Sequence, residues 1–219
     1  MPAERRAPDA ARSRDVSAAR APVALALLGG GLLAGYAVEL SIALREGPAE
    51  LESFLHAFGI VPREVLAGRV GTLGTSIFLH ADAFHLLSNV VFLVAFGWEL
   101  EPRAGPRRFA ALFLGCGLVA GLLHVATAPA SFVPTVGASG AVSGVLGAWW
   151  RLRRDGGAHP RALGRLPGLV LLGLWVAAQV AAALDGGSGQ AGFAHLGGFV
   201  AGLAAAPRLL PPTVSARTP

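Results

Sequence analysis

Lysine is absent from this 219-residue chain, and cysteine, methionine and tyrosine occur once each. The single cysteine, Cys116, excludes an intrachain disulfide framework and a cysteine-based zinc site. It lies in an apolar run, where packing is its expected use. Charge is scarce as well. Charged residues make up 14% of the chain, against about a quarter in a typical soluble protein, while 53% are hydrophobic and the mean hydropathy is +0.58. These figures exclude an ordinary soluble globule. No glycine-rich phosphate cradle follows a strand pattern, and no repeat links the two halves of the chain. What is abundant is glycine, with 30 residues, which together with many alanines points to closely packed membrane helices.

All 18 basic residues are arginine and the sequence pI is about 11.1, a balance that in a soluble chain would first raise nucleic-acid binding. Their placement argues for a membrane and no nucleic acid. Six uncharged apolar stretches, at about 22–44, 84–100, 108–128, 136–150, 166–184 and 192–210, are separated by residues that stop helices. Fifteen arginines precede the first, separate the second from the third and the fourth from the fifth, or follow the sixth. Only Arg45, Arg63 and Arg69 fall in the alternate connections. The positive-inside rule then places both termini in the cytoplasm. The predicted organisation is a disordered Arg-rich cytoplasmic tail over 1–20, a six-helix membrane domain over 21–210 and a short tail over 211–219. The long outer loop at about 45–80 carries Leu51, Phe54, Leu55, Phe58 and Ile60 among its charges, a pattern for short amphipathic helices in the interface.

A polar side chain inside a span is costly unless it meets a partner or a water-filled cavity. Asn89, Ser139 and His195 stand 14, 12 and 13 residues before the first arginine of the inner flank, or about 21, 18 and 20 Å along a helix. All three therefore share one level, roughly 10 Å below the outer face of a core about 30 Å thick. A histidine at the same depth as a serine can act as the base that serine needs to become a nucleophile. Ser139 opens a span too short to cross the core, so its helix N-terminus must end within the bilayer, where free N–H groups favour a developing oxyanion. Gly137 and Gly140 leave room for a substrate backbone, and Asn89 can donate to the same oxygen. Taken singly, each of these residues also has an ordinary use as helix-packing glue. The ladders Gly140, Gly144, Ala148 and Ala194, Gly198, Gly202 serve close helix contact, and the same contact would bring Ser139 and His195 together. No acid in either span orients the histidine, so a dyad is expected and not a triad.

These residues resemble the motifs of the rhomboid intramembrane serine proteases, of bacterial type, over about residues 60–205. Thr75-Ser76-Ile77-Phe78-Leu79-His80, followed by His85 and Asn89, resembles the His-x4-His-x3-Asn run of the second span. Gly137-Ala138-Ser139-Gly140 resembles the Gly-x-Ser-Gly nucleophile motif, and Ala194-His195-Leu196-Gly197-Gly198 resembles the sixth-span histidine segment. The resemblance implies an all-α polytopic six-helix bundle, Ser139 as nucleophile, His195 as base, and an oxyanion hole of Asn89, His85 and the Ser139 N–H. It also implies no cofactor, single-span membrane proteins as substrates, and a multi-pass place in a bacterial inner membrane. Two positions depart from the family: Ser143 stands where a tyrosine usually packs on the histidine, and Gly71-Thr72 where a tryptophan often anchors the outer loop.

The other polar residues have plainer expectations. Glu99 and Glu101 would pair with Arg103 or Arg107. His80 is read as structural or water-binding, while His56, His124 and His159 have no matching partner. A metal shared by His80, His85 and Asp82 is disfavoured because residues five apart lie about 140° around a helix. Two other functions compete: a transporter or channel using Glu39, Asn89 and His195 as pathway residues, and an inactive scaffold binding client spans, which would need neither Ser139 nor His195.

Overall fold

The computed structural model describes residues 21–154, 169–170, 172–177 and 189–209. The tails expected at 1–20 and 211–219, His159, and most of the fifth predicted span lie outside them. Among the described residues every regular element is helical apart from one isolated antiparallel bridge, Ile60 with Thr135. The helices are α1 (Val23–Arg45), α2 (Pro48–Phe58), α3 (Pro62–Leu66), α4 (Thr72–Thr75) with a 3-10 turn over Ser76–Phe78, α5 (Ala83–Ala104), α6 (Pro106–Thr127), α7 (Ser139–Arg154) and α8 (Gly189–Leu209). Residues 169–170 and 172–177 are also helical. By length and composition α1, α5 and α6 can each cross a membrane, and the chain is a polytopic helical membrane protein.

Local chemistry sets the boundaries. α1 ends at Arg45, where Gly47 takes a positive φ of 100° and Pro48 starts α2. α5 begins where Asp82 accepts the His85 N–H at 2.8 Å, and ends at Gly105, whose φ of 80° turns the chain before Pro106 opens α6. The loop expected to hold amphipathic helices does contain α2, α3 and α4. It is tied down by the Ile60–Thr135 bridge, by the Thr75 hydroxyl donating to the Phe58 carbonyl at 2.6 Å, and by Arg69, which pairs with Glu64 and donates to the Ala57 carbonyl. His56 stands 3.9 Å from Glu64 in the same cluster.

Two buried carboxylates fasten α1, one to α5 and one to the turn that precedes it. Glu101 accepts from the N–H groups of Ala24 and Leu25 at 2.8 and 2.6 Å, supplying the acceptors that the first N–H donors of a helix lack. At the opposite end Glu39 accepts the His80 N–H, at 2.9 and 3.2 Å from its two oxygens. The expectation that the acidic residues at the end of α5 pair with Arg103 or Arg107 is corrected for Glu101 and met in part for Glu99, on which Arg103 acts. Glu101 is spent on the backbone of α1. Glu99 accepts the indole N–H of Trp149 at 2.8 Å, with Arg103 and Arg153 close enough to act on its charge. Glu39 likewise has a backbone partner.

α7 is the centre of the molecule, with every residue from Gly140 to Trp149 buried. At 16 residues it is about 24 Å long, shorter than the hydrocarbon core, as its sequence predicts. Helices close in on it because their contact faces lack side chains. A Cβ at Gly198 would collide with the Gly140 carbonyl, one at Gly202 with the Gly144 carbonyl, and one at Gly147 with the Phe199 carbonyl. On the α6 side the same holds for Gly140 against Ala120 and for Gly144 against Cys116, which is buried and packs as expected. The two predicted ladders therefore lie against each other.

Candidate active site

Ser139 is the first residue of α7, and Gly137 is what delivers it there. Gly137 has φ of 126°, a region that side chains disfavour, and its N–H donates to the Ser76 carbonyl at 2.9 Å. The chain thus turns sharply out of the extended stretch pinned at Thr135 and enters the helix with the serine in its first turn. His195 projects from α8 toward it. Its Nε2 lies 2.6 Å from the Ser139 Oγ, within reach for the hydroxyl to donate to the imidazole. The glycine contacts of α7 with α8 bring the two helices this close. Ser139 and His195 are both half-buried, and they border a cavity of about 150 Å³ that His85, Gly137 and Gly140 also line.

His85 occupies the wall beside the serine. A Cβ built on Gly137 would come within 2.6 Å of its imidazole, so glycine at 137 makes room for the ring as well as for the turn. Gly140 faces the cavity, but its missing side chain also serves contact with Ala120. Asn89, one turn along α5 from His85, is buried at 4% exposure and does not itself line the cavity; its Nδ2 has no hydrogen-bond partner among the described residues. An unsatisfied interior donor costs about 1–3 kcal/mol. His80 is buried in the turn before α5, its ring edge-on to His85 with centroids 5.1 Å apart. Burial pushes the His80 imidazole down to about 4, so it is neutral at physiological pH.

One departure noted in the sequence has a visible consequence. Ser143 is fully buried and donates to the Ser139 carbonyl at 2.6 Å, so the position one turn below the serine braces the α7 backbone and offers no ring to His195. His124, which had no assigned role, is a site residue that sequence reasoning missed. It is buried in α6, lines the cavity, and its Nε2 lies 2.8 Å from the Thr135 Oγ1. A signal was present: Gly117, Gly121 and His124 fall at helical spacing on one face of α6, and all three border the cavity. A polar residue continuing a face of small residues is placed toward whatever that face opens on.

Comparison with known proteins gives a consistent grouping. Residues 67–212 match the family model of the rhomboid domain. The chain is 34% identical over 154 residues to RHOMBOID-like protein 12, mitochondrial, of Arabidopsis thaliana, covering 60% of this chain and 44% of that one. It is 30% identical over 138 residues to Rhomboid-like protease 3 of Toxoplasma gondii, covering 59% and 48%. With the putative rhomboid protease YdcA of Bacillus subtilis it shares 36% identity over 85 residues, covering 39% and 42%. The chain thus spans less than half the length of each of these relatives.

Proposed function

The chain belongs to the rhomboid family, and from that premise we propose that it is an intramembrane serine endopeptidase that cleaves single-span membrane proteins in or near their membrane helix through a Ser139–His195 dyad. The observation that carries this reading is the 2.6 Å contact between the His195 Nε2 and the Ser139 Oγ at the head of a buried helix. In the proposed reaction His195 takes the serine proton as Oγ attacks the scissile carbonyl, then returns it to the leaving amine. A water entering from the outer side is activated by the same imidazole and hydrolyses the acyl-enzyme. The oxyanion is assigned to the N–H of Ser139, the side chain of Asn89 and His85, with Gly137 and Gly140 admitting the substrate backbone. No cofactor or metal takes part. The bundle is read as six spans with both termini in the cytoplasm of a bacterium and the dyad in the outer half of its inner membrane. Relatives of the chain occur in Bacillus as well as in a plant and Toxoplasma, the plant one being mitochondrial.

The decisive experiment incubates the detergent-purified protein with a panel of labelled single-span substrates. Cleavage that depends on Ser139 supports the reading. Solute flux that persists in Ser139→Ala, with no cleavage, supports a transporter, and client binding without cleavage supports a scaffold.

Asn89 provides a narrower test. Removing one oxyanion donor costs on the order of 3 kcal/mol, about a hundredfold in turnover. Asn89→Ala is expected to lower kcat by that amount while substrate affinity and melting temperature stay near wild type. A melting temperature that collapses with activity would show that Asn89 holds helices together instead.

Substrate entry gives another. Trp175 stacks on Phe199 at 5.5 Å between ring centroids, which joins the described part of the fifth helical stretch to α8 one turn below His195. This stretch carries the bulky Leu171, Leu172, Leu174 and Trp175, of which Leu171 lies outside the described residues and Leu174 is exposed. If this wall opens to admit a membrane helix, Trp175→Ala raises cleavage of embedded substrates and leaves hydrolysis of a small soluble ester unchanged. Equal effects on both substrates would remove the gate.

A further inference from the structure

α1 lies outside the residues matched by the rhomboid model, yet it packs against the turn that leads to His85 in the wall of the site. Its Glu39 is 2% exposed and spends its carboxylate on one backbone group, the N–H of His80. A carboxylate inside a membrane helix is expensive, and packing alone would be served by leucine. The bond it makes needs a side-chain oxygen acceptor at this position, which an apolar residue cannot supply. α1 can come this near because Gly35 has no side chain: a Cβ there would strike the carbonyl oxygen of Phe78, and one at Gly31 would sit 3.1 Å from the Phe78 ring.

Neither ring nitrogen of His80 has a hydrogen bond of ordinary geometry among the described residues, although the Phe78 backbone is near enough to act on the imidazole. Glu39 holds the same turn through its backbone. From that turn two contacts run to His85: the ring of His80 meets it edge-on, and Asp82, two residues on, accepts its N–H at 2.8 Å. His85 in turn lies against Gly137 and borders the same cavity as Ser139. We propose that Glu39 is a positioning residue for the active site, its grip on the His80 amide fixing the turn that sets His85 in the wall beside Ser139. This rests on the serine-protease reading above.

The test uses the full-length protein in detergent. Reactive Ser139 is counted by fluorophosphonate labelling, and turnover of a labelled single-span substrate is expressed per labelled serine. Glu39→Met keeps the volume and accepts no hydrogen bond, and its kcat per labelled serine should fall about tenfold or more with KM unchanged, because misplacement near reacting groups acts on the transition state. Glu39→Gln keeps the length and a neutral oxygen acceptor, and should lose about two- to fivefold. If Glu39→Met does not fold, the Gln variant decides alone. Fewer labelled molecules and a lower melting temperature with wild-type kcat per labelled serine, in either variant, would mean that Glu39 only supports the fold and would overturn the proposal. A wild-type protein that neither labels nor cleaves overturns the protease reading and this proposal together. Labelled, active wild type beside unaffected variants overturns the proposal alone.

Discussion

Ser139→Ala and His195→Ala are each expected to lower cleavage by on the order of 10⁴-fold or more, and the double variant to be no worse than either single one. The non-additivity follows from the geometry. With Nε2 2.6 Å from Oγ, the proton leaves the serine only through His195, so removing either partner removes the whole step. Neither substitution should unfold the protein, since both side chains border the cavity and neither belongs to the apolar core around α7. Cleavage rates measured on a transmembrane substrate, with melting curves alongside, check both halves of the expectation. Residual turnover of more than a few per cent in either single variant would contradict the dyad.

The second large effect is expected from a single methyl group far from the chemistry. Gly202 faces the backbone of Gly144, and the atoms a Cβ would meet are the carbonyl oxygen, carbonyl carbon and Cα, none of which can rotate away. Gly202→Ala must therefore push α8 off α7. Overpacking of this kind costs about 1–3 kcal/mol. The same displacement carries His195, two turns up α8, away from Ser139, and a misplacement of about 1 Å can cost on the order of a hundredfold in rate. The variant should show a lower melting temperature and a loss of turnover per folded molecule. Gly115→Ala on α6 provides the contrast, because nothing lies within 4 Å of the position its Cβ would take. There stability should be unchanged or slightly raised, as glycine in a helix interior is worth about 0.5–1 kcal/mol less than alanine. Equal behaviour of the two variants would refute the backbone-contact account of the α7–α8 interface.

What could be read from the sequence follows from how local each signal is. The helix ends at Arg45, Gly105 and Ser139 are marked by turn-forming or basic residues in the chain itself, and the predicted spans 22–44, 84–100 and 108–128 lie close to α1, α5 and α6. The approach of Ser139 to His195 was also legible, because two glycine ladders at four-residue spacing can mate in few ways. The roles of Glu39 and Glu101 were not. Each binds backbone N–H groups 41 or about 77 residues away, and a backbone amide carries no residue identity for a pattern to detect. The nearby arginines made ion pairing the natural expectation for Glu101, and only the packing of α1 on α5 shows that the carboxylate is needed at a helix N-terminus. The place of His124 is hidden in the sequence for a related reason. Its partner Thr135 sits beyond the end of α6, in a segment whose position depends on the bridge to Ile60. Asn89 shows the opposite limit: a depth counted along the sequence does not show whether a side chain reaches the cavity, and this side chain does not line it.

The most direct test of the central claim is to label the purified protein with a fluorophosphonate and map the adduct by mass spectrometry. The account predicts a single modified residue, Ser139, with labelling abolished in Ser139→Ala and strongly reduced in His195→Ala. A label on any other serine, a label that survives in Ser139→Ala, or labelling undiminished in His195→Ala would contradict it.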